Sequence, residues 1–496
     1  MNILLHCIPG YMPFFLEVIR RSQMQKLPVD WSILNYSNGE GLLAEARTLV
    51  GNDRVLDLQE KLTAFMQQDR VELDLLKDLP TPVYQCIATS KVIKGHHSIP
   101  TKDRRYQLQL IIGTYVAYKD FLLAHRPDFV FFPIIESYDS MVLYHLCSEL
   151  GIQRVIYGHA RNLGVSYFTD AIGEPLPPYT LHEPLSESDR LRAGEFLQAF
   201  RTDYRPPFEI KLHPSEEEVI NTSRLDLNLF QKAVKFLRIR LGGFEPHVVD
   251  RYTLLHNLKI HFHPLTMAYR RMKGELLYRR LFDITTVDEL PNRFIYLPLQ
   301  YTPETSINTP APFFIDQSRV IDLVLSAMPP DHVLVVKEHP AMRGERALSF
   351  YREQKRKAGV VLADYAISNI EVVKRAALTV SVTGTSCLEA FLLGRPSLHI
   401  SRAFFSDWIH TFDSFWNFGA QMREALRSGN VPEEKIIDFV GRTLRIGAHF
   451  YVYSAGGGPY GRRDLLMNTK NIDAFLAALV RHLERLDGSA ASREVS

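Results

Sequence analysis

"LTVSVTGTSCLEAFLLGRPSLHI" (Leu378–Ile400) holds a strand, a turn, a helix and a second strand in quick succession. An apolar run leads into Thr383-Gly384-Thr385-Ser386, a helix begins at once and runs to Gly394, and Pro396 precedes the next strand. Strand, helix, strand at this spacing predicts a parallel pair with the helix packed on the sheet. The start of that helix offers free N–H groups, Gly384 lets the backbone come close, and the hydroxyls add donors, a combination suited to a phosphate. Glu389, about one turn in, is placed to accept hydrogen bonds from vicinal ribose hydroxyls. The same residues also read as an ordinary helix start, with Thr385 or Ser386 as cap and Glu389 closing a capping box.

The rhythm extends outward. Strands are expected at Phe294–Leu299, His332–Lys337, Gly359–Ala363, Leu378–Val382 and Ser397–Ile400, with helices at Gln317–Met328, Glu345–Ala358, Asn369–Ala376 and Ser386–Leu393. Nearer the N-terminus, Asn2–Cys7, Trp31–Ser37, Asp128–Ile135 and Arg154–His159 read as strands. Gln107–His125 and Asp139–Gly151 read as helices, the latter with Asp139 as N-cap. The expected fold is α/β: two Rossmann-like, doubly wound parallel-sheet domains facing a cleft. Residues 1–185 form the first domain, 186–290 a linker and basic helical region, 291–450 the second domain, and 451–496 a loop and a terminal helix whose last residues fray.

Composition narrows the function. Lys and Arg total 58 against 56 Asp and Glu in 496 residues, so no global charge points to nucleic acid. The four cysteines (Cys7, Cys86, Cys147, Cys387) stand far apart without a C-x-x-C pair and read as buried thiols. "MNILLHCIPGYMPFF" lacks a basic n-region, and no apolar run reaches about 18 residues. A cytoplasmic protein is expected, or one attached to the inner face of the plasma membrane. Gln231–Arg280 has eleven Lys/Arg against three Asp/Glu, fit for anionic headgroups at about 1 kcal/mol per cation or for a polyanionic glycan. "HFHP" (His261–Pro264) has no Cys or carboxylate nearby and makes a weak metal site, so no metal is expected.

In open α/β sheets ligands bind at the carboxyl ends of strands. "VVKEHPAMRG" (Val335–Gly344) ends a strand in Lys337, which can neutralise phosphate charge, and His339, which can donate to a phosphate oxygen or protonate a leaving phosphate. Arg343 and Arg346 offer further anion contacts. "YLPLQYTPETS" (Tyr296–Ser306) brings Gln300, Tyr301 and Glu304 past another strand in a proline-bracketed loop. On the N-terminal side, Glu136 follows the strand Asp128–Ile135. A carboxylate there can deprotonate an acceptor hydroxyl or attack an anomeric carbon. His6, His159 and Arg161 end neighbouring strands and are expected on the acceptor side.

Three of these segments, in this order and spacing, resemble the capsule polysaccharide biosynthesis family, the surface-carbohydrate group that includes Kdo transferases. They are "LQYTPE" (Leu299–Glu304), "VKEHPAMRGER" (Val336–Arg346) and "TGTSCLEAFLLGRP" (Thr383–Pro396). The resemblance implies a GT-B fold, a nucleotide-sugar donor held by the C-terminal domain, and metal-independent transfer with no further cofactor. It implies that His339 contacts the donor's phosphate or nucleotide, that Thr383, Gly384, Thr385 and Ser386 hold phosphate, and that Glu389 or Glu304 holds sugar hydroxyls. Gln300, Lys337 and Arg343 are placed on the same donor side, and CMP-Kdo or a related CMP-ulosonic acid is one candidate donor. The expected partners are that nucleotide sugar and a glycan or glycolipid acceptor, not nucleic acid. Two other readings stay open: a UDP-sugar 2-epimerase of similar fold, and a non-catalytic capsule assembly or export factor.

Overall fold

Two six-stranded sheets organise the chain. The computed structural model describes residues 1–8, 10–36, 40–66, 73–80, 82–89, 104–204, 280–302, 304–342, 346–452 and 466–493. The first sheet comprises β1 (Asn2–Cys7), β2 (Asp30–Asn35), β3 (Val55–Asp57), β4 (Phe129–Phe132), β5 (Gln153–Ala160) and β6 (Val165–Thr169). The second comprises β7 (Phe294–Pro298), β8 (Val333–Lys337), β9 (Val360–Ala363), β10 (Leu378–Ser381), β11 (Ser397–His399) and β12 (His410–Thr411).

The spatial orders are β3-β2-β1-β4-β5-β6 and β12-β11-β10-β7-β8-β9. Counted within its own domain, each is the doubly wound order 3-2-1-4-5-6. Every pairing is parallel except β5 with β6, which is antiparallel. The central strands are buried on both faces; β4 and β10 are buried throughout. That is why they read in sequence as unbroken apolar runs rather than alternating ones.

Helix Tyr138–Glu149 begins differently from expectation. Its cap is Ser137, in a reciprocal capping box with Ser140, while Asp139 is fully buried in the first turn. Helix Glu187–Asp203, capped by Ser186, packs on helix Glu433–Ile446, and Arg201 reaches Glu433 with two bonds of 2.9 and 2.8 Å. The last helix, Thr469–Arg493, crosses back to the first domain. Phe475 packs edge-on against Phe14 and Phe131 at 5.3 and 5.5 Å, and Arg21 grips Asp473 through two bonds of 2.8 and 2.7 Å. The tail expected to fray is helical through Arg493. All four cysteines are buried free thiols.

The two domains touch where their strand ends approach. Thr309 Oγ1 donates to the Ile135 carbonyl at 2.9 Å. Gly173, at φ +90°, lies so close to Arg402 that a Cβ would stand 2.6 Å from its carbonyl oxygen. Arg343, "HFHP", the glycine-rich loop 455–461 and all but the last residue of the basic stretch Gln231–Arg280 lie outside the described residues.

Candidate functional site

In the C-terminal sheet, β7 and β10 are neighbours from which the chain winds off to opposite sides, so a crevice opens at their carboxyl ends. Gln300, just past β7, is buried and spans that crevice. Its Nε2 donates to Ser381 Oγ at 3.1 Å, its Oε1 accepts from Thr383 Oγ1 at 3.2 Å, and its backbone N–H donates to Gln317 Oε1 at 2.9 Å. The Gly384 N–H donates to the same Ser381 hydroxyl at 3.0 Å. A Cβ on Gly384 would sit 2.8 Å from Ser381 Oγ and 3.0 Å from Gln300 Nε2. Close approach, not a left-handed backbone, is what requires glycine there.

The following helix, Ser386–Leu392, does not carry the expected capping box. Thr385 occupies the cap position without a side-chain cap bond, and its Oγ1 donates instead to Glu389 Oε1 at 3.2 Å. The other Glu389 oxygen accepts from Asn369 Nδ2. Asn369 Oδ1 in turn accepts from Tyr296 OH at 2.6 Å and Ser386 Oγ at 3.3 Å. Asn369 heads helix Asn369–Arg375 and was not foreseen as part of a site. It ties β7, the phosphate-type turn and Glu389 into one polar cluster.

The β8 tip stands beside this crevice. Lys337 and Glu338 are each 2% exposed. The Glu338 carboxylate accepts from Arg346 Nε at 2.7 Å, from Tyr351 OH at 2.5 Å and from the His339 N–H at 2.6 Å. Burial works against the Arg346 charge, but the adjoining Glu338 carboxylate more than offsets it and holds the guanidinium above its usual pKa. Arg346 also donates to the Gln300 carbonyl at 2.9 Å. Arg346, expected as an anion contact, is therefore a structural clamp between two strand tips.

His339 Nδ1 accepts from the Ala341 N–H at 3.1 Å, which puts the proton of the neutral ring on Nε2. Its ring lies 5.8 Å from that of Tyr301. Glu304 sits at the cap of the short helix Thr305–Asn308, where Ser306 Oγ donates to it at 2.5 Å.

In the N-terminal sheet the corresponding crevice lies between β1 and β4. Glu136, partly exposed just past β4, has its carboxyl pushed up to about 7, first by burial and then by the neighbouring Asp139 charge. Asp139 is itself held low: burial opposes its charge, but the His6 ring outweighs it, with Ser137 and Tyr118 adding hydrogen bonds. His6 is 0% exposed, with Nε2 2.8 Å from Asp139 Oδ2 and Nδ1 buried without a hydrogen-bond partner among the described residues. The acceptor-side placement of His6 is thereby corrected, since the ring supports Asp139 from beneath the surface. His159 is likewise buried, with Nδ1 3.1 Å from Ser166 Oγ, and does not line an open face. Arg161 is exposed, and its charge partly counters the rise that burial imposes on Glu174.

The Ile135–Thr309 hydrogen bond sets the residue before Glu136 against the segment that follows Glu304. The two crevices are thus brought to the same junction. Among the described residues no group of three or more His, Cys, Asp or Glu side chains could hold a metal ion. No described helix is long and apolar enough to cross a membrane.

Two Rossmann-like sheets in one chain, joined at their carboxyl edges, define a GT-B-like fold. Residues 215–424 match the model of the capsule polysaccharide biosynthesis protein family, a span that contains all three motifs, so the resemblance drawn from them is borne out. No curated protein matches the chain in sequence. Among solved structures, the chain is similar to the β-Kdo 2,4 transferase of KpsC from Thermosulfurimonas dismutans, at 10% identity over 63% of this chain and 78% of that one, with a TM-score of 0.32. It is also similar to the β-Kdo 2,7 transferase of the same protein, at 10% identity over 71% and 91%, with a TM-score of 0.29. A third likeness is the UDP-GlcNAc 2-epimerase of Methanocaldococcus jannaschii, at 13% identity over 90% and 98%, with a TM-score of 0.24. The fold assignment rests on the strand orders.

Proposed function

We propose that this protein is a glycosyltransferase of bacterial surface-polysaccharide assembly, moving a sugar from a nucleotide donor to a glycan or glycolipid hydroxyl. The observation that carries this reading is that Gln300 and the Thr383–Ser386 turn meet at one switch point, with the β8 tip that bears His339 clamped beside it through Glu338 and Arg346. There the bond between the anomeric carbon and the nucleotide's phosphate breaks. The departing phosphate takes its negative charge toward the Nε2–H of His339 and the backbone N–H groups at the head of helix Ser386–Leu392. The turn's hydroxyls hold Gln300, Glu389 and Asn369 in place, and Lys337, as buried as His159, is assigned no contact with the phosphate. Asn369 and Thr385 hold Glu389 ready to accept from sugar hydroxyls, with Glu304 a second acceptor for such hydroxyls. Glu136 takes the proton of the incoming acceptor hydroxyl as the new carbon–oxygen bond forms. A carboxyl with a pKa of about 7 is matched to that task at neutral pH. A CMP-linked ulosonic acid such as CMP-Kdo is the proposed donor, and the basic stretch Gln231–Arg280 is proposed to meet anionic headgroups or a polyanionic acceptor.

The test is a thermal-shift panel of CMP-, UDP- and GDP-sugars. A donor at 100 times its Kd stabilises the fold by about 2.7 kcal/mol, and His339→Ala sharply reduces that response. No shift with any of them removes the donor site. Conversion of UDP-GlcNAc to UDP-ManNAc without an acceptor replaces the transferase with an epimerase.

A further inference from the structure

Four large aromatic side chains are exposed among the described residues: Trp416 at 97%, Tyr84 at 66%, Phe415 at 54% and Phe313 at 48%. They lie together on two neighbouring parts of the surface. Phe313 and Phe415 pack at 5.5 Å on a base of Phe314 and Phe412. Trp416 is the next residue and stands almost clear of the protein. Tyr84 lies on helix Val83–Thr89, which packs against the turn Pro312–Ile315 that carries Phe313. That turn begins three residues after Thr309, which is bonded to the Ile135 carbonyl just past β4. The turn that carries Phe313 therefore stands at the domain junction.

We infer that this strip is a binding platform for a polysaccharide chain, extending the acceptor path away from the site of transfer. Exposed rings clustered to this degree mark a contact surface rather than chance exposure. The polar groups between them identify the ligand. Asn417 Nδ2 donates to Asp413 at 2.8 Å, and both side chains are exposed beside Trp416. Arg319 lies 4.6 Å from the centre of the Phe313 ring and donates to the Phe313 carbonyl at 3.1 Å. Flat apolar faces with hydrogen-bonding side chains beside them match a pyranose ring, which shows C–H bonds on its face and hydroxyls at its edge. The strip has no net positive charge, because Asp316 balances Arg319 at 3.8 Å and Asp413 adds a negative one. It therefore offers an anionic bilayer no counter-charge, and the units stacked on it are the neutral pyranoses of the polysaccharide. The platform presupposes the transferase reading for its glycan, but not for its chemistry.

Trp416 also supplies the assay. The chain has three tryptophans, and Trp31 and Trp408 are buried, so iodide quenching of fluorescence reads Trp416. Surface polysaccharide extracted from the source organism should protect Trp416 from iodide, and Phe415→Ala should raise the half-protecting concentration about tenfold. In native gels containing the same polysaccharide, wild type should be retarded and Trp416→Ala should not. Trp416 is too exposed for its loss to affect folding. No protection by the polysaccharide, or protection by phosphatidylcholine–phosphatidylglycerol vesicles in its place, overturns the proposal. Both variants should keep the wild-type nucleotide-sugar thermal shift. Protection without any such shift in wild type leaves the platform standing and removes the donor site; a shift without protection does the reverse.

Discussion

The Ala341 backbone N–H donates to Nδ1 of His339 at 3.1 Å, fixing which edge of the imidazole can donate outward. The donor is Nε2–H. Gln places an amide N–H near the position of Nε2, whereas Ala offers nothing. His339→Gln should therefore retain part of the nucleotide-sugar affinity. His339→Ala should lose about 1.5–3 kcal/mol, the worth of a hydrogen bond to a charged group. Equal loss in the two variants, measured by calorimetric titration, would show that the ring acts other than as a donor.

Gly384 tests the geometry of the turn. A methyl group there meets Ser381 Oγ and Gln300 Nε2, both committed to hydrogen bonds. Gly384→Ala should cost about 1–3 kcal/mol in urea unfolding and weaken donor binding. A fully stable variant with unchanged binding would mean that the turn relaxes freely.

Glu136 gives a pH signature. Its folded pKa of about 7 lies above that of an unfolded glutamate. Below pH 4 both states are protonated and the group contributes nothing. As pH rises through 4 to 7 the unfolded chain ionises first, so the wild type loses stability, and the loss is complete above about pH 7. Glu136→Gln should be more stable than wild type at pH 8, by roughly 1–3 kcal/mol after allowance for partial exposure, and no more stable at pH 4. The same variant should abolish transfer. Wild-type turnover should fall on the acid side with a midpoint near 7.

Removing Arg346 leaves Glu338, 1% exposed at its side chain, without its counter-charge. Arg346→Met should destabilise by about 3–5 kcal/mol, and Arg346→Met combined with Glu338→Gln should recover much of that. Denaturant melts of wild type, Arg346→Met, Glu338→Gln and the double variant form the relevant cycle. A mild single effect would demote the pair from clamp to ornament.

The sequence was most legible where burial is two-sided. β1 was read to its last residue, and β7, β8, β10 and β11 to within a residue or so, because strands covered on both faces leave no polar alternation to confuse the pattern. β3 and β12 escaped because they are only three and two residues long, and β6 because an antiparallel edge strand reached through a tight turn carries no distinct signal. Gln300 stood out as a polar residue past an apolar strand and Glu389 as a carboxylate one turn into the helix after the Thr-Gly-Thr turn, and tertiary bonds join both to the same crevice. Asn369 looked like any helix-starting residue; only its bonds to Glu389, Ser386 and Tyr296, distant in sequence, distinguish it. His6 was misplaced because a strand-end position does not reveal that the first turn of helix Tyr138–Glu149 lies over it, and Asp139 was misread as a cap for the same reason.

The return of helix Thr469–Arg493 to the first domain bears on biosynthesis. The aromatic faces of Phe14 and Phe131, translated early, find their partner Phe475 only when the far end of the chain leaves the ribosome. The amino-terminal sheet must wait, incompletely covered, through synthesis of the whole second domain. Cutting the gene between the two sheets should thus yield an aggregating first half, and adding the terminal helix as a separate peptide should rescue its solubility.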